Sequence, residues 1–218
     1  MNGRLDFDAT VRCSDGEAGS LVGAVVDEDT RRLTHLVVRM SSRHARLVPL
    51  DLVESAAGHE VVLACTTKEL AELVEAHGST YVEWGEEPKI GDGFHVGVED
   101  VTAVAYPDLG ELGGYVGEID SSVVLTYDRI PDGCVEIRGA SAVFFADGRH
   151  LGHVAAWALH DDAPEEIVLA HGHLLGARQV SIPLRDVAKF DNDVVTISLT
   201  VEELEALPSV HTHHLPFG

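Results

Sequence analysis

The sequence predicts an all-β chain, mainly strands with short helices, built as two small β-barrels from an internal duplication. Three observations lead there. Matching residues recur in order about 134 positions apart, Val-, Leu- and Ile-rich runs are bounded by Asp-Gly turns, and each series ends in a capped helix start.

The repeat is clearest around two prolines. Val48-Pro49-Leu50-Asp51-Leu52-Val53 matches Ile182-Pro183-Leu184-Arg185-Asp186-Val187 at a spacing of 134. The same spacing, without a gap, brings Val61 onto Val195, Leu63 onto Ile197, Thr66 onto Thr200 and Glu69 onto Glu203. Leu70 and Leu73 then fall on Leu204 and Leu207. Upstream, Asp15-Gly16 and Gly19 match Asp147-Gly148 and Gly152 after a one-residue insertion. Leu36-Val37-Val38 corresponds to Ile167-Val168-Leu169 after a two-residue deletion.

Strands are expected at 10–13, 20–27, 32–39, 45–50 and 60–64, and again at 142–146, 152–160, 165–170, 177–183 and 193–199. Runs such as Leu36-Val37-Val38 lack polar alternation, which suits strands covered in part on both faces. Gly16 and Gly148 follow Asp and mark tight hairpins. Thr66 with Glu69, and Thr200 with Glu203, fit the capping box, in which Thr caps the helix and Glu reaches back to its amide. Leu70, Leu73 and Val74 give the first helix an apolar face, Leu204 and Leu207 the second, and Pro208 stops it. The expected organisation is a first barrel at 1–77, a connector at 78–138, a second barrel at 139–208 and a His-containing tail at 209–218. The connector holds 13 acidic and 3 basic residues, a net −10. Its strand-like runs at 101–106 and 123–127, with Trp84, Phe94, Tyr106, Tyr115 and Tyr127, predict order rather than a tether.

The repeat unit resembles the PRC-barrel domain: a first strand, Asp-Gly, a Gly-x-apolar strand, an apolar strand, then an apolar-Pro-Leu strand with Val four residues after the Pro. The second copy carries the likeness further, through Glu166-Ile167-Val168-Leu169, Gly172-His173-Leu174-Leu175-Gly176 and Val180-Ser181-Ile182-Pro183-Leu184. Tyr127-Asp128-Arg129-Ile130-Pro131 and Val135-Glu136-Ile137-Arg138 are similar to the lead-in of the second barrel in two-barrel bacterial relatives. The first copy departs from the pattern, with Met40-Ser41-Ser42-Arg43-His44 in place of the Gly-His-Leu segment. The family takes in the cytoplasmic barrel of the photosynthetic reaction-centre H subunit and the C-terminal barrel of the ribosome-maturation factor RimM. The resemblance implies a barrel that docks onto a larger assembly, with no catalytic set and no cofactor.

Composition narrows the partners. With 15 Lys and Arg against 37 Asp and Glu, the net charge is −22 across 218 residues, which opposes binding to DNA and disfavours RNA and the ribosome. Residues 1–6 lack the apolar core of a signal peptide, and no apolar run reaches the ~18 residues of a membrane span, so a cytoplasmic protein is expected. Cys13, Cys65 and Cys134 are odd in number and widely spaced, which predicts neither a disulfide framework nor a zinc motif. Cys13 and Cys65 fall at strand positions and read as small core residues.

Motifs for chemistry are sparse. The sequence has no G-x-S-x-G, H-E-x-x-H or Walker loop, and the glycines at 91, 93 and 97 have the wrong spacing for a dinucleotide fingerprint. No metal or cofactor site is expected. The weak metal candidates are His171 and His173, and His211, His213 and His214 in the tail, where solvated histidine is the plainer reading. The acidic pairs Asp27/Asp29 and Asp161/Asp162 read as solvated turns. Against the acidic background, Arg31, Arg32, Arg39, Arg43 and Arg46 gather five of the twelve arginines within sixteen residues. Arg holds carboxylates bidentately, so this hairpin is the expected dock for acidic groups, on this chain or a second copy. The expected function is a non-enzymatic scaffold that docks onto itself or a protein assembly, with an RNA-maturation accessory as the alternative.

Overall fold

The structure, a computed structural model, describes residues 3–40, 44–83, 94–103, 122–159, 166–171, 178–191 and 193–210. It is mainly β, with a curled, half-barrel sheet and two short helices. In the first part of the chain β1 (Gly3–Cys13), β2 (Gly16–Asp27), β3 (Arg32–Met40) and β4 (Ala45–Pro49) form an antiparallel meander. A single 3-10 turn at Leu50–Leu52 leads into β5 (Val53–Leu63), which returns parallel to β1, and then into α1 (Thr67–Glu72). The strands β6 (His77–Glu83), β7 (Phe94–Ala103) and β8 (Ser122–Pro131) make a separate three-stranded sheet. After β9 (Cys134–Arg138) come β10 (Ala142–Phe145), β11 (His150–Leu159), β12 (Glu166–His171) and β13 (Arg178–Pro183), again an antiparallel meander. A 3-10 turn at Leu184–Asp186, β14 (Val187–Asp191), β15 (Val194–Ile197), α2 (Val201–Ala206) and the short β16 (Ser209–Val210) complete it.

The two meanders share their register. The parallel return sets Val11 against Val61 in the first and Val143 against Val195 in the second. Leu21 faces Val38 and Leu36 faces Val48; Val154 faces Leu169 and Ile167 faces Ile182. Register shifts fall between Leu21 and Gly23 and between Val154 and Ala156. Two glycines serve one purpose in both. A Cβ on Gly19 would run into the Arg39 carbonyl, and one on Gly152 into the Ala170 carbonyl, so the neighbouring strand closes in only where a side chain is missing. Gly148 turns its hairpin at φ +84°. Both helices carry the full capping box, with Thr66 and Thr200 accepting from the amides of Glu69 and Glu203 and both Glu side chains accepting from the Thr amides in return.

The meanders are also tied to each other. Residues 3–6 of β1 pair with β11, placing Leu5 opposite Trp157 and Asp6 opposite Ala156. In return β9 pairs with β2, from Cys134 opposite Asp27 to Arg138 opposite Gly23. At each crossing the chain then changes partner at a left-handed residue: Asp8, φ +67°, within β1, and Ala140, φ +83°, in the turn between β9 and β10. Phe7 and Gly139 meet beside these hinges, where a Cβ on Gly139 would overlap the Phe7 side chain. β9 lies in the stretch read from sequence as connector, yet it is a rung of the main sheet.

One core results. Leu5, Val11, Leu21, Leu36 and Leu70 pack in the same cluster as Val143, Trp157, Ile167, Ile182 and Leu204. The unpatterned run separates its faces: Leu36 and Val38 enter this core, while Val37 joins a second cluster with Val25, Leu47, Ile130 and Cys134. Ile130, at the end of β8, therefore packs on the outer side of β2 to β4. Leu73 and Leu207 pack against the main core, whereas Val74, the third apolar residue expected on the first helix, is 43% exposed.

Backbone contacts at two kinds of position yield a test. Gly19→Ala and Gly152→Ala should each cost about 2–3 kcal/mol, because a backbone carbonyl must move. Ala140→Gly should stabilise by about 1 kcal/mol by relieving a left-handed alanine. Urea unfolding midpoints check both signs.

Candidate functional site

The arginines that are dense in sequence divide between the two ends of β3, with Arg31 and Arg32 at one end and Arg39 and Arg46, on adjoining rungs of the β3–β4 ladder, at the other. Arg31 closes the turn after β2 with φ +56°, a turn braced by Asp27 Oδ1, which accepts from the amides of Asp29 and Thr30. Its guanidinium lies 5.1 Å from the centroid of the Phe190 ring and donates to the Ala188 carbonyl at 3.3 Å. Arg31 therefore contacts the far meander through an aromatic face and a carbonyl. Arg46 is likewise occupied, donating at 3.3 Å to the Leu73 carbonyl at the end of α1. Arg178 does the same for α2 through the Leu207 carbonyl at 2.6 Å.

Arg32 and Arg39 are exposed and stand at opposite ends of β3, about 23 Å apart at ~3.3 Å per residue. Arg43 lies outside the described residues. Among the described residues, none of Arg31, Arg32, Arg39 and Arg46 is ion-paired with a carboxylate, and most of the acidic connector lies outside the described residues. Close to the Arg39 end, His44 Nδ1 meets Glu75 Oε1 at 2.6 Å.

A buried ion cluster was not foreseen from the sequence. Glu136 on β9 has a side chain only 3% exposed, and its Oε2 lies 2.9 Å from His77 Nε2 and 3.2 Å from Arg138 Nη2. Oε1 is buried with no hydrogen-bond partner and fills the space left by Gly23, where any Cβ would collide with it. Arg138 continues to Asp193 Oδ2 at 3.3 Å, in the turn between β14 and β15. Burial lowers the pKa of Arg138 and Asp193 opposes that shift. This cluster clamps β9, β6 and the β14–β15 turn together at the crossing. Glu136 is its one buried member; the His77, Arg138 and Asp193 side chains each reach solvent in part. The only sequence signal is a Glu between apolar neighbours in Val135-Glu136-Ile137; its partner, His77, is remote in sequence.

The remaining candidates are placed as follows. His171 ends β12, exposed, with Nδ1 2.8 Å from the Leu151 carbonyl. It borders an open cleft of about 360 Å³ with Arg178, Val180, Leu204 and Glu205. His173, His211, His213, His214, Asp161, Asp162, Gly91 and Gly93 lie outside the described residues. Among the described residues, no group of three or more His, Cys, Asp and Glu is placed to hold a metal ion. No helix among them is long and apolar enough to cross a membrane. Cys13, Cys65 and Cys134 are all free and buried. No protein-family model matches the chain, and no curated protein matches it.

Three variants test the cluster and the buried imidazole of His35. Glu136→Ala should destabilise by about 3 kcal/mol, because it strands the half-buried Arg138 charge, and Arg138→Met on that background should recover part of the loss. Burial pushes the His35 imidazole below its ordinary 6.5, with Asp51 pulling the other way. Its contribution is then full above pH 6.5 and is lost as pH falls toward the depressed value. Unfolding midpoints should drop between pH 7 and 5, and His35→Gln should flatten that slope.

Proposed function

We propose that the chain is a tandem of two PRC-like barrels, derived by duplication, that works by docking onto a larger protein assembly and not by catalysis. The observation that carries the reading is the shared register: Val11 with Val61 against Val143 with Val195, and Leu36 with Val48 against Ile167 with Ile182. The crossings repeat it as well. Leu5 opposite Trp157 corresponds to Ile137 opposite Ala24, at offsets of 132 and 133. Left-handed Asp8 and Ala140 stand 132 apart at matching hinges. A strand misassigned by one residue would put its core side chains in water, so agreement at this many rungs supports common descent of the halves.

The docking role follows from the resemblance to the PRC-barrel family, joined to the surface. Arg32 and Arg39 are exposed cations without carboxylate partners among the described residues, on a chain of net charge −22. Such a chain repels its own kind at long range, so these positions favour an acidic patch on a different protein over a second copy.

Crosslinked pulldown from the native cell tests the proposal. The wild-type chain should retain a protein partner, and Arg32→Glu with Arg39→Glu should lose it by tenfold or more while circular dichroism stays unchanged. Salt-sensitive co-sedimentation with ribosomal particles, abolished by the same pair, would replace this reading with an RNA accessory.

A further inference from the structure

Cys13 ends β1 and Cys65 immediately precedes the α1 cap, 52 residues apart in the sequence. Their Sγ atoms lie 3.9 Å from each other in the core, with the residues 6% and 7% exposed. The two segments are already fixed side by side: the Ser14 amide donates to the Cys65 carbonyl at 2.9 Å, and the Ser14 hydroxyl donates to it at 3.2 Å. A bonded pair needs about 2.05 Å between sulfurs, so closure asks for about 2 Å of movement by two short side chains. Packing alone does not demand thiols here. At the matching positions of the second meander stand Phe145 and Leu199, which fill the same core with hydrocarbon.

We infer that Cys13 and Cys65 form a dithiol site that a small disulfide oxidises to an intramolecular cross-link, locking the start of α1 to β1. In the first step one cysteine thiolate attacks a sulfur of the small disulfide, giving a mixed disulfide and releasing one small thiolate. The other cysteine thiolate then attacks the protein-bound sulfur of the mixed disulfide and releases the second. Each cysteine proton ends on a departing thiolate, both cysteines are oxidised, and the small disulfide is reduced to two thiols. Burial and the neighbouring Cys65 push the Cys13 thiol up to about 12, so little thiolate exists at neutral pH while α1 is docked. Oxidation is therefore slow and follows opening of the α1 start. Cys134 is an internal control, a buried thiol whose pKa burial also raises, with no second thiol beside it among the described residues.

The test uses the full chain incubated with oxidised glutathione, then alkylated and mapped by mass spectrometry. The expected result is loss of both Cys13 and Cys65 thiols in one monomeric product, with Cys134 still free. Thermal unfolding of that product should rise by about 5–10 °C, as expected for closing a loop of this length, and dithiothreitol should reverse it. Cys134→Ser should retain the rise, and Cys13→Ser and Cys65→Ser should abolish it relative to their own reduced forms. Three free thiols after prolonged oxidation, a persistent single glutathione adduct, or a cross-link between chains would each overturn the inference.

Discussion

Two antiparallel ladders between distant parts of the chain govern this structure. Residues 3–6 belong to the sheet of β11, and β9 belongs to that of β2. Without those crossings each meander would have an open edge beside its second strand, and Leu5, Trp157 and Ile137 would lose the rungs that bury them. With them, the core is continuous, and the arrangement needs hinges: Asp8 within β1 and Ala140 between β9 and β10 leave the extended region where the chain passes from one partner strand to another. Asp tolerates that conformation better than Ala because its side chain bonds locally. The Glu136 cluster sits at the same crossing and depends on it, since Gly23 faces Arg138 across the β2–β9 ladder.

Local structure was legible because local chemistry decides it. The capping boxes need only a Thr and a Glu three positions on, and the hairpins need only a Gly where φ turns positive. The strand order within each meander follows from consecutive runs and short turns. The crossings could not be read in this way. Val135-Glu136-Ile137-Arg138 has the composition of a strand, but nothing in it says that its partner lies at 23–27, more than a hundred residues earlier. By composition alone, residues 134–138 fall within the acidic connector.

The surface was legible in kind and misleading in arrangement. Five arginines close in sequence suggested one basic patch, yet a strand spaces its residues by ~3.3 Å and sends Arg32 and Arg39 to opposite ends. Arg31 and Arg46 were then taken up by a ring and a helix terminus, contacts that depend on Phe190 and Leu73 being brought near. The thiols show the converse. Cys13 and Cys65 look unrelated by spacing, and only the parallel return of β5 beside β1 brings their sulfurs together.

The crossings also set a timetable for synthesis. A chain leaving the ribosome presents β2 long before β9 exists, so the β2 edge must wait for about a hundred residues to be made. At ~5–20 residues per second that interval is roughly 5–20 s. The start of β1 waits longer, until β11 emerges. During this time both edges are open ladders that any other extended segment can occupy. Nascent-chain length, and not the stability of the finished sheet, therefore determines when this protein is most exposed to mispairing.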